Sequence, residues 1–307
     1  MEKENYIIGI GAANIDLCGR SRAQLVMEDS NPGSFTMSAG GVTRNICENA
    51  ARMGASVKLI TVMGDDLYGA KITEHCRDCN IDLSSALVLS GQASSTYLSI
   101  HDVNGEMAVA MSDMSILQQL TPAHLLEREA VISGASVIVM DAGLPAEVLE
   151  FVQTHWGGSI PVFIDPVSTA YTKKLTRSLT RVHTVKPNRL EAEVLSGIAI
   201  TDEDSLYRAG DAILALGAQR TIITLGSGGA YYADVAGFRK HYAAKPAQVV
   251  NATGAGDCFT GALLYGFLKG MEPDRLMDFA MTASVIALSH PNTIHPDIGR
   301  LLKLYIV

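Results

Sequence analysis

The chain has 307 residues, and its 24 lysines and arginines against 32 aspartates and glutamates give a formal net charge of −8 at pH 7. Hydrophobic residues make up 48% of the chain and charged residues 18%, which supports a large packed core and excludes global disorder. An acidic chain without a run of lysines and arginines lacks the basic face that nucleic-acid phosphates require, so we expect no nucleic-acid partner. The longest apolar stretches, such as Ala135–Met140, are too short to span a bilayer, so we expect no membrane partner either.

The start of the chain and its cysteines indicate the cellular compartment. Charged residues lead directly into a strand pattern at the N-terminus, without the apolar segment of an export signal. The five cysteines are an odd number and lack the spacing of a disulfide framework. We therefore expect a cytoplasmic protein.

Apolar runs and helical patterns alternate along most of the chain. Short stretches rich in valine, isoleucine and leucine predict buried strands at Tyr6–Ile10, Val57–Val62, Val137–Met140, Val162–Ile164, His183–Val185 and Thr221–Leu225. Apolar residues at helical spacing predict helices at Val42–Met53, Asp66–Cys79, Pro145–His155, Asn188–Leu195, Asp202–Leu216, Gly254–Lys269, Asp274–Ser289 and Ile298–Leu304. This alternation predicts an α/β fold with a mostly parallel sheet and helices on both faces.

Two segments with period-two patterns interrupt the alternation, at Ser30–Met37 and Ser94–Met111. The second contains Asn104-Gly105, the pair preferred in tight hairpin turns. A hairpin inserted into an α/β protein has one face that does not pack on the main core, so we expect that face to cover another surface. We expect these segments to form a small β lid, an oligomer interface or both, on a single domain that spans residues 1–307.

The segment Asn251-Ala-Thr-Gly-Ala-Gly-Asp257 leads directly into an apolar-periodic helix. The small residues Gly254, Ala255 and Gly256 leave the first backbone N–H groups of that helix free to bind an anion. Asp257, in the first turn, lies within reach of such an anion and is suited to take a proton from an attacking nucleophile. The alternative interpretation is a first-turn acid that the helix dipole favours.

A second glycine pair, Gly40-Gly41, also opens a predicted helix, and Asn45 follows one turn later. An amide side chain both donates and accepts hydrogen bonds, which suits sugar hydroxyls. The alternative is a plain glycine turn with Asn45 on a solvated face. We expect Arg44 to be a surface charge, with balancing of phosphate charge as the alternative.

The N-terminal stretch Gly9-Ile-Gly11-Ala-Ala-Asn14 begins like a dinucleotide fingerprint but lacks its third glycine. The residues after it continue a strand pattern, so Asn14 and Asp16 share one strand face. A carboxylate there suits two vicinal hydroxyls, and a simple turn at the end of a strand is the alternative.

Three further motifs admit two interpretations each. In Lys186-Pro-Asn188-Arg-Leu-Glu191, Asn188 and Glu191 either form a capping box or order water around magnesium. The glycine-rich loop Thr224–Gly229 either follows a nucleotide or is an ordinary hairpin. The stretch His75-Cys76-Arg-Asp-Cys79 suggests a metal or redox site, but the sequence offers no second His/Cys pair at ligand spacing, so we expect no zinc there.

Together these motifs resemble a known family. Gly40-Gly41 with Asn45, and Thr253–Asp257, are similar to the two signatures of the ribokinase-like (PfkB) carbohydrate kinases. Lys186–Glu191 and Thr224–Gly226 lie between them in the order found in that family. The resemblance covers essentially the whole chain and implies a doubly wound, mostly parallel sheet flanked by helices, with a small β lid.

Within the family, several stretches are most similar to the pseudouridine kinases. They are Asn14–Asp16, Asp29–Gly33, Gly40–Ile46, Gly105–Met107, Asp113-Met114, Asp165–Ser168 and Lys186–Glu193. The sequence departs from many family members at Asn251, where they carry an aspartate that binds an activating monovalent cation. The missing charge weakens the case for a potassium requirement.

The resemblance implies transfer of the ATP γ-phosphoryl group to the 5′-hydroxyl of a nucleoside, with ribose or another furanose as the alternative acceptor. It implies that Asp257 is the base and that the amides of Gly254, Ala255 and Gly256 form the anion hole. It implies substrate binding by Asn14, Asp16, Gly40, Gly41 and Asn45, to which placement in the lid adds Ser30 and Asn31.

The resemblance also implies ATP and magnesium as cofactors. It assigns the nucleotide and its magnesium to Asn188, Glu191, Thr224, Gly226 and Gly229, with Glu191 contacting the metal through water. The small lid leads us to expect a homodimer joined through it, with Thr96 and Met111 near the nucleobase.

Two hypotheses from other classes remain at this point. A dehydrogenase built on Gly9-x-Gly11 requires a helix directly after these glycines. A noncatalytic sugar-binding protein has no use for Asp257 beside an anion site.

Overall fold

The computed structural model describes residues 5–303. Its strands are β1 (Tyr6–Ile10), β2 (Asn14–Ser21), β3 (Gly33–Gly40), β4 (Ser56–Ile60), β5 (Val62–Gly64), β6 (Ile81–Asp82), β7 (Leu87–Leu89), β8 (Thr96–His101), β9 (Met107–Asp113), β10 (Val137–Asp141), β11 (Val162–Asp165), β12 (Thr184–Val185), β13 (Arg220–Thr224), β14 (Ala230–Asp234) and β15 (Arg239–Tyr242). Its helices are α1 (Val42–Arg52), α2 (Leu67–Asp78), α3 (Pro122–Leu126), α4 (Glu129–Ser133), α5 (Ala146–His155), α6 (Thr169–Thr172), α7 (Arg189–Ser196), α8 (Glu203–Ala215), α9 (Ala255–Leu268), α10 (Pro273–Leu288) and α11 (Ile298–Lys303).

The large sheet has nine strands in the order β15-β14-β13-β12-β11-β10-β1-β4-β6. Neighbouring strands from β6 to β13 are parallel, and β14 and β15 add an antiparallel edge. Central pairs such as Ile8 beside Ile138 are fully buried, as expected of a parallel sheet covered on both faces. The predicted α/β class and mostly parallel sheet are confirmed.

Helices cover the two faces of the large sheet as two separate apolar layers. One layer packs α3, α4, α5, α7 and α8 on the sheet, with Leu149 and Ala209 among its buried residues. The other packs α1, α2, α9, α10 and α11, with Ile46 and Leu263 among its buried residues. This arrangement places the start of α1 and the start of α9 on the same side of the sheet.

A smaller sheet has four strands in the order β3-β2-β8-β9. The turn between β8 and β9 contains Asn104-Gly105, where Gly105 takes a φ of 87° and the Asp102 carboxylate accepts the N–H groups of Asn104 and Glu106. The predicted hairpin turn is therefore confirmed.

The bounds of two predicted segments differ from the structure. The first period-two segment begins in the loop after β2, and its strand, β3, runs to Gly40 because it pairs with β2 along its whole length. The predicted strand Val57–Val62 divides after Ile60, because the chain leaves the large sheet and β5 pairs with β7. The predicted end of the last helix at Leu304 lies outside the described residues.

Candidate active site

The carboxyl ends of the parallel strands bring several polar side chains to one edge of the large sheet. Asp141 ends β10, Asp165 ends β11, and Lys186 follows β12 directly. The strand order changes direction between β1 and β10, since the chain runs from β1 outward to β4 and later returns to β10. In open α/β sheets, ligands bind at such a switch point, outside the carboxyl ends of the strands.

Asp141 fixes the loop after β1 at this edge. Its carboxylate accepts hydrogen bonds from Thr43 Oγ1 at 2.6 Å, from the Ala12 N–H at 2.8 Å and from the Gly143 N–H at 2.8 Å. A Cβ atom on Gly11 would collide with both Thr43 and Asp141, so only glycine fits there.

This packing accounts for the fingerprint-like glycines near the N-terminus. Gly9 lies against Cys47 of α1, and Gly11 lies against the Asp141 cluster. The chain then continues into strand β2 and not into a helix. The dehydrogenase hypothesis is therefore wrong, because the helix that a dinucleotide site requires is missing after Gly11.

Asp257 and Asn45 meet where α1 packs against α9. The Asn45 Nδ2 group donates to Asp257 Oδ2 at 2.8 Å. Burial, reinforced by the charge of Asp165, raises the pKa of Asp257 to about 7. A carboxyl group that titrates near neutrality is suited to accept a proton.

The start of α9 has the features of an anion-binding site. Gly254 caps the helix in the left-handed conformation, with a φ of 81°, and Ala255 begins the helix. The Ser284 hydroxyl donates to the Ala255 carbonyl at 2.7 Å and fixes this turn. The first N–H groups of a helix have no partner within it, so the amides at Gly256 and Asp257 are directed at this end.

Lys186 lies between Asp165 and the start of α9, although no role was predicted for it from the sequence. Its ammonium group contacts Asp165 Oδ2 at 3.1 Å, and both side chains are only 7% exposed. It also lies 3.5 Å from the position that a Cβ atom would take on Gly256. Although burial by itself would lower the pKa of Lys186, the Asp165 and Glu191 carboxylates outweigh it and raise this pKa. The sequence signal was a lysine directly after a buried strand.

Arg44 is buried, contrary to the expectation of a surface charge. Its guanidinium donates to the Ala39 carbonyl at 2.8 Å and to the Gly40 carbonyl at 2.9 Å, and it pairs with Glu48 at 2.5 Å. It also donates to Asn45 Oδ1, which leaves the Asn45 NH₂ group directed at Asp257. The i,i+4 spacing of Arg44 and Glu48 was visible in the sequence, but their burial was not.

The residues predicted to hold the ribosyl group come together beside Asn45. Asn14 Nδ2 donates to Asp16 Oδ1 at 2.7 Å, and the Asp16 carboxylate fills the space where Gly40 has no Cβ. Gly41, with a φ of 100°, makes the turn into α1. Burial raises the pKa of Asp16.

Ser30 and Asn31 are not brought into this cluster. They lie in the loop beyond the pairing of Ser21 with Gly33, which is seven residues from the pairing of Asn14 with Gly40. That separation is roughly 23 Å at 3.3 Å per strand residue. The Asn31 side chain bonds the Val26 backbone N–H and carbonyl within the loop. A substrate contact at these two residues stays a prediction.

The strand register also separates two predicted base contacts from Asp16. Asp16 pairs with Tyr97, so these two side chains share a face of the small sheet. Thr96 lies one residue away on the other face, and Met111 pairs with Leu98 on that same other face. The expectation that Thr96 and Met111 lie near the base is inconsistent with a ribosyl group held by Asp16.

Asn188 and Glu191 form the capping box that the sequence predicted as one alternative. Asn188 Oδ1 accepts the Glu191 N–H at 3.0 Å, and Glu191 Oε2 accepts the Asn188 N–H at 2.8 Å. Glu191 is buried, and this burial raises its pKa. Thr224 lies beside Asn188, since its N–H donates to the Pro187 carbonyl at 3.0 Å.

The glycine-rich loop after β13 borders a cleft of about 290 Å³. Gly226 and Gly229 both have positive φ, 60° and 89°, and a Cβ atom on Gly229 would collide with the Tyr242 carbonyl. The cleft is lined by Ile200, Thr201, Asp202, Glu203, Leu206, Leu225, Gly228 and His241. A cleft lined by both apolar and polar side chains beside a bare backbone loop suits a flat heterocycle with attached phosphates.

Within residues 5–303, none of the helices has the length and hydropathy needed to cross a membrane.

Comparison with known proteins identifies this arrangement. Residues 4–298 match the pfkB family of carbohydrate kinases. The chain is 36% identical to the pseudouridine kinase of Escherichia coli K12, over 97% of this chain and 95% of that protein. It is 26% identical to the guanosine-inosine kinase of Exiguobacterium acetylicum, over 95% and 98% of the two chains.

Solved structures have the same fold. A crystal structure from Clostridium perfringens is 34% identical and superposes with a TM-score of 0.89 over 99% of this chain and 96% of that chain. A ribokinase of Arabidopsis thaliana, solved with ribose and ATP, is 19% identical, with a TM-score of 0.83 over 97% and 98% of the two chains. The chain therefore belongs to the PfkB family of carbohydrate kinases and is an ATP-dependent phosphotransferase that acts on a hydroxyl group.

Proposed function

We propose that this kinase phosphorylates the 5′-hydroxyl of pseudouridine, giving pseudouridine 5′-phosphate. The observation that carries the choice of substrate is the 36% identity to the pseudouridine kinase of Escherichia coli along almost the whole of both chains. The site supports a ribosyl acceptor, because carboxylate and amide groups from β2 and α1 meet beside one carboxyl group with a pKa near neutrality.

In this proposal, Asp257 takes the proton of the 5′-hydroxyl as its oxygen attacks the γ-phosphorus of ATP, and the bond from that phosphorus to the bridging oxygen breaks to release ADP. Asn45 holds the carboxylate in place through its 2.8 Å hydrogen bond. The amides at Gly254, Ala255 and Gly256 are assigned to the charge that develops on the transferred group, for which the Ala255 N–H must leave its 3.5 Å contact with the Ala252 carbonyl. Phosphoryl transfer depends on alignment and charge stabilisation, which a carboxylate and a helix start provide.

The ribosyl group binds to Asn14, Asp16, Gly40 and Gly41. Asp16 accepts hydrogen bonds from two vicinal hydroxyls, and the absence of a Cβ atom on Gly40 leaves room for the carboxylate. A charged acceptor for two hydroxyls favours ribosides over deoxyribosides, since each hydrogen bond to a charged group contributes about 1.5–3 kcal/mol.

The nucleotide is assigned to Thr224, Gly226 and Gly229 with the adjoining cleft, and magnesium to Asn188 and Glu191. The donor set fits magnesium, because Glu191 uses Oε2 in the capping box and its other carboxylate oxygen can accept from a metal-bound water. When bound, magnesium supplies positive charge to the ATP phosphates.

We also propose that turnover does not require potassium. Asn251 carries no charge, and its amide donates to the Pro291 carbonyl at 2.9 Å while its oxygen accepts the Thr253 N–H at 2.9 Å. These bonds tie together the two loops beside the anion hole without a cation. Equal turnover in potassium and choline salts is expected, and strong activation by potassium would contradict this proposal.

The small sheet is proposed to act as the lid over the nucleoside and to join two copies of the chain. Its Asp16 face presents Tyr97, Ser99 and Ser112 beside the ribosyl site. Its other face is apolar and exposed.

The five free thiols support a reducing compartment, and we infer that the chain works in the cytoplasm.

The decisive experiment compares kcat/KM for pseudouridine, uridine, guanosine, inosine and ribose at saturating ATP and magnesium. We expect pseudouridine to be preferred strongly, because its additional ring N–H needs an acceptor that uridine would leave unpaired. Ribose should lose turnover as well as affinity, since it has no base with which to order the lid.

The second candidate function is a kinase for another nucleoside or for a furanose sugar. The similarity to the guanosine-inosine kinase of Exiguobacterium acetylicum supports it. Equal or better use of a purine nucleoside, uridine or ribose would reject pseudouridine and leave the kinase assignment unchanged.

A further inference from the structure

Three potential metal ligands meet outside the active site, between α1 and α2. They are Glu48 on α1, and His75 and Cys79 at the end of α2, and their ligand atoms all lie within 4.8 Å of one another. His75 Nε2 lies 3.0 Å from Glu48 Oε2 and 3.5 Å from Cys79 Sγ. The function proposed above uses neither His75 nor Cys79.

These distances suit a zinc ion. Zinc takes nitrogen and oxygen ligands at about 2.0–2.2 Å and sulfur at about 2.3 Å in tetrahedral geometry, which separates neighbouring ligand atoms by roughly 3.3–3.8 Å. His75 and Cys79 are four residues apart and therefore share one side of the helix end. The sequence offered only these two ligands, and the third, Glu48, comes from another helix.

Contacts to both helices hold the Glu48 carboxylate in place. Its Oε2 accepts from Arg44 at 2.5 Å and lies 3.0 Å from His75 Nε2, and its Oε1 accepts from Arg52 at 2.7 Å. Glu48 is only 2% exposed, so its carboxylate is positioned between α1 and the end of α2 before any metal binds.

Arg52 lies beside the Cys79 sulfur, since its Nη2 atom is 3.4 Å from Cys79 Sγ. Its side chain is 27% exposed and also bonds Glu48 Oε1 at 2.7 Å through Nε. Arg52 can therefore leave the sulfur and keep the Glu48 contact. A metal ion can reach the cluster from solvent through His75. The His75 side chain is 40% exposed and lines a cleft of about 230 Å³ between α2 and the C-terminal end of β3.

We propose that Glu48, His75 and Cys79 form a site for one zinc ion, and that zinc bound there inhibits the kinase. The cluster and the catalytic base share a chain of contacts. Glu48 Oε2 accepts from both His75 and Arg44, Arg44 bonds Asn45, and Asn45 donates to Asp257. A metal that takes Glu48 Oε2 loosens Arg44 and with it the Asn45 contact that holds Asp257.

Binding is tested with Co²⁺ as a spectroscopic probe on the full chain, without nucleotide, because ATP itself binds metal ions. We expect one equivalent of Co²⁺ to give the thiolate charge-transfer and tetrahedral d–d bands, and zinc to displace it. Cys79→Ser should lower the affinity by at least about 10–100-fold, the usual cost of losing even an outer-shell partner. Cys18→Ser, which removes a half-buried thiol on β2, is the matched control and should bind normally.

The absence of the bands in the wild type, or equal binding by Cys79→Ser, would overturn the site. This test needs no substrate, so it is independent of the proposed function.

Inhibition, which rests on Asp257 as the base, is tested in a buffer of fixed free zinc with excess magnesium and ATP. Saturating zinc should lower wild-type turnover by at least about tenfold, a part of the 10²–10⁴ that a positioned base contributes. Cys79→Ser should keep its basal turnover and resist zinc. Unchanged wild-type turnover with zinc shown to be bound would overturn the inhibitory half of the proposal.

Discussion

Asp257 combines a place at the start of α9 with a carboxyl group whose pKa is about 7. Burial disfavours the charged form, so the carboxylate that can accept a proton dominates only above that pH. We therefore expect kcat/KM for the nucleoside to rise with pH through about 7 and to reach a plateau above it. A pH profile of kcat/KM at saturating ATP checks this, and a profile without a transition near neutrality would contradict it.

Replacement of the same residue tests its chemical role. Asp257→Asn keeps the shape and the contact with Asn45 but removes the base, so turnover should fall about 10²–10⁴-fold. ATP affinity, measured by calorimetry, should change little, because the anion-binding amides remain. Near-normal turnover in this variant would remove Asp257 from the mechanism.

Lys186 provides positive charge beside the carboxyl group of Asp257. Its ammonium favours the ionised form of Asp257, so Lys186→Met should raise the pKa of Asp257 further and move the rise of kcat/KM to higher pH. The change also leaves Asp165 buried without its partner, which should lower the free energy of unfolding by about 3–5 kcal/mol.

A lysine at the same sheet edge serves as the control for Lys186. Lys174 donates to the Ala142 and Leu144 carbonyls, and it is more exposed than Lys186. Lys174→Met should leave the pH at which kcat/KM rises unchanged. An identical shift in both variants would show that the profile reports general loss of charge and not the Lys186 ammonium.

At the residue scale, the sequence indicated which polar groups meet beside the starts of α1 and α9 but not what holds them. Asp257, Asn45 and Asp16 were predictable because glycines and helix starts mark them. The burial of Arg44 and Lys186 was not, since both depend on carbonyl and carboxylate partners that the fold brings from other elements. For the same reason, the sequence did not predict that Glu48, on another helix, lies beside His75 and Cys79.

At the scale of elements, the contact between α1 and α9 sets the distance from Asn45 to Asp257. Gly261 permits this contact, because a Cβ atom there would lie 2.8 Å from Asn49 Cβ and 2.9 Å from the Ile46 carbonyl. Gly261→Ala should separate the helices and lower the free energy of unfolding by about 1–3 kcal/mol, a typical cost of overpacking. Turnover should fall too, since the Asn45 contact is disturbed.

Gly266 of the same helix is the matched control. A Cβ atom there would meet Leu276 Cδ1 at 2.5 Å, the end of a flexible side chain on α10, and not α1. Because the end of the Leu276 side chain can shift, Gly266→Ala should cost less stability than Gly261→Ala and cause little loss of kcat. Chemical denaturation and steady-state kinetics on both variants separate the two effects, and equal losses of kcat would contradict the argument.

The helices and strands that could be predicted from the sequence are those with buried apolar residues. The central strands and the long helices were predictable because buried apolar runs and helical periodicity mark them. The edge strand β15 was missed because its exposed residues, Arg239, Lys240 and His241, show no apolar pattern. The strand character at Asn14–Asp16 was predicted, but the pairing of β2 with β3 and β8 depends on long-range register, which local patterns do not contain.

At the scale of the whole molecule, a net charge of −8 is compatible with binding a polyanion. The groups proposed to face the phosphates are the backbone amides at the start of α9 and the glycine loop after β13. Helix starts and amide nests attract anions without a basic surface. The negative surface therefore does not oppose the proposed function.

The small sheet leaves one apolar face uncovered within residues 5–303. By register, Phe35 and Met37 of β3 share that face with Val109 and Met111 of β9, and Phe35 and Met111 are 73% and 71% exposed. A contiguous exposed apolar patch on a folded protein marks an interface. Two copies of this sheet packed face to face would bury it.

We expect the wild-type chain to sediment as a dimer, at twice the monomer mass of 32.7 kDa. Phe35→Ser combined with Met111→Ser removes four apolar side chains from the dimer and should weaken it on the order of 10³-fold, at 1.4 kcal/mol for each factor of ten. Thr36→Ala, on the Asp16 face of β3, is the control and should leave the dimer intact. Because each lid would be braced by the other, the double variant should also raise the KM for the nucleoside more than that for ATP. Sedimentation equilibrium with steady-state kinetics measures both, and a wild-type monomer at micromolar concentration would exclude the lid-joined dimer.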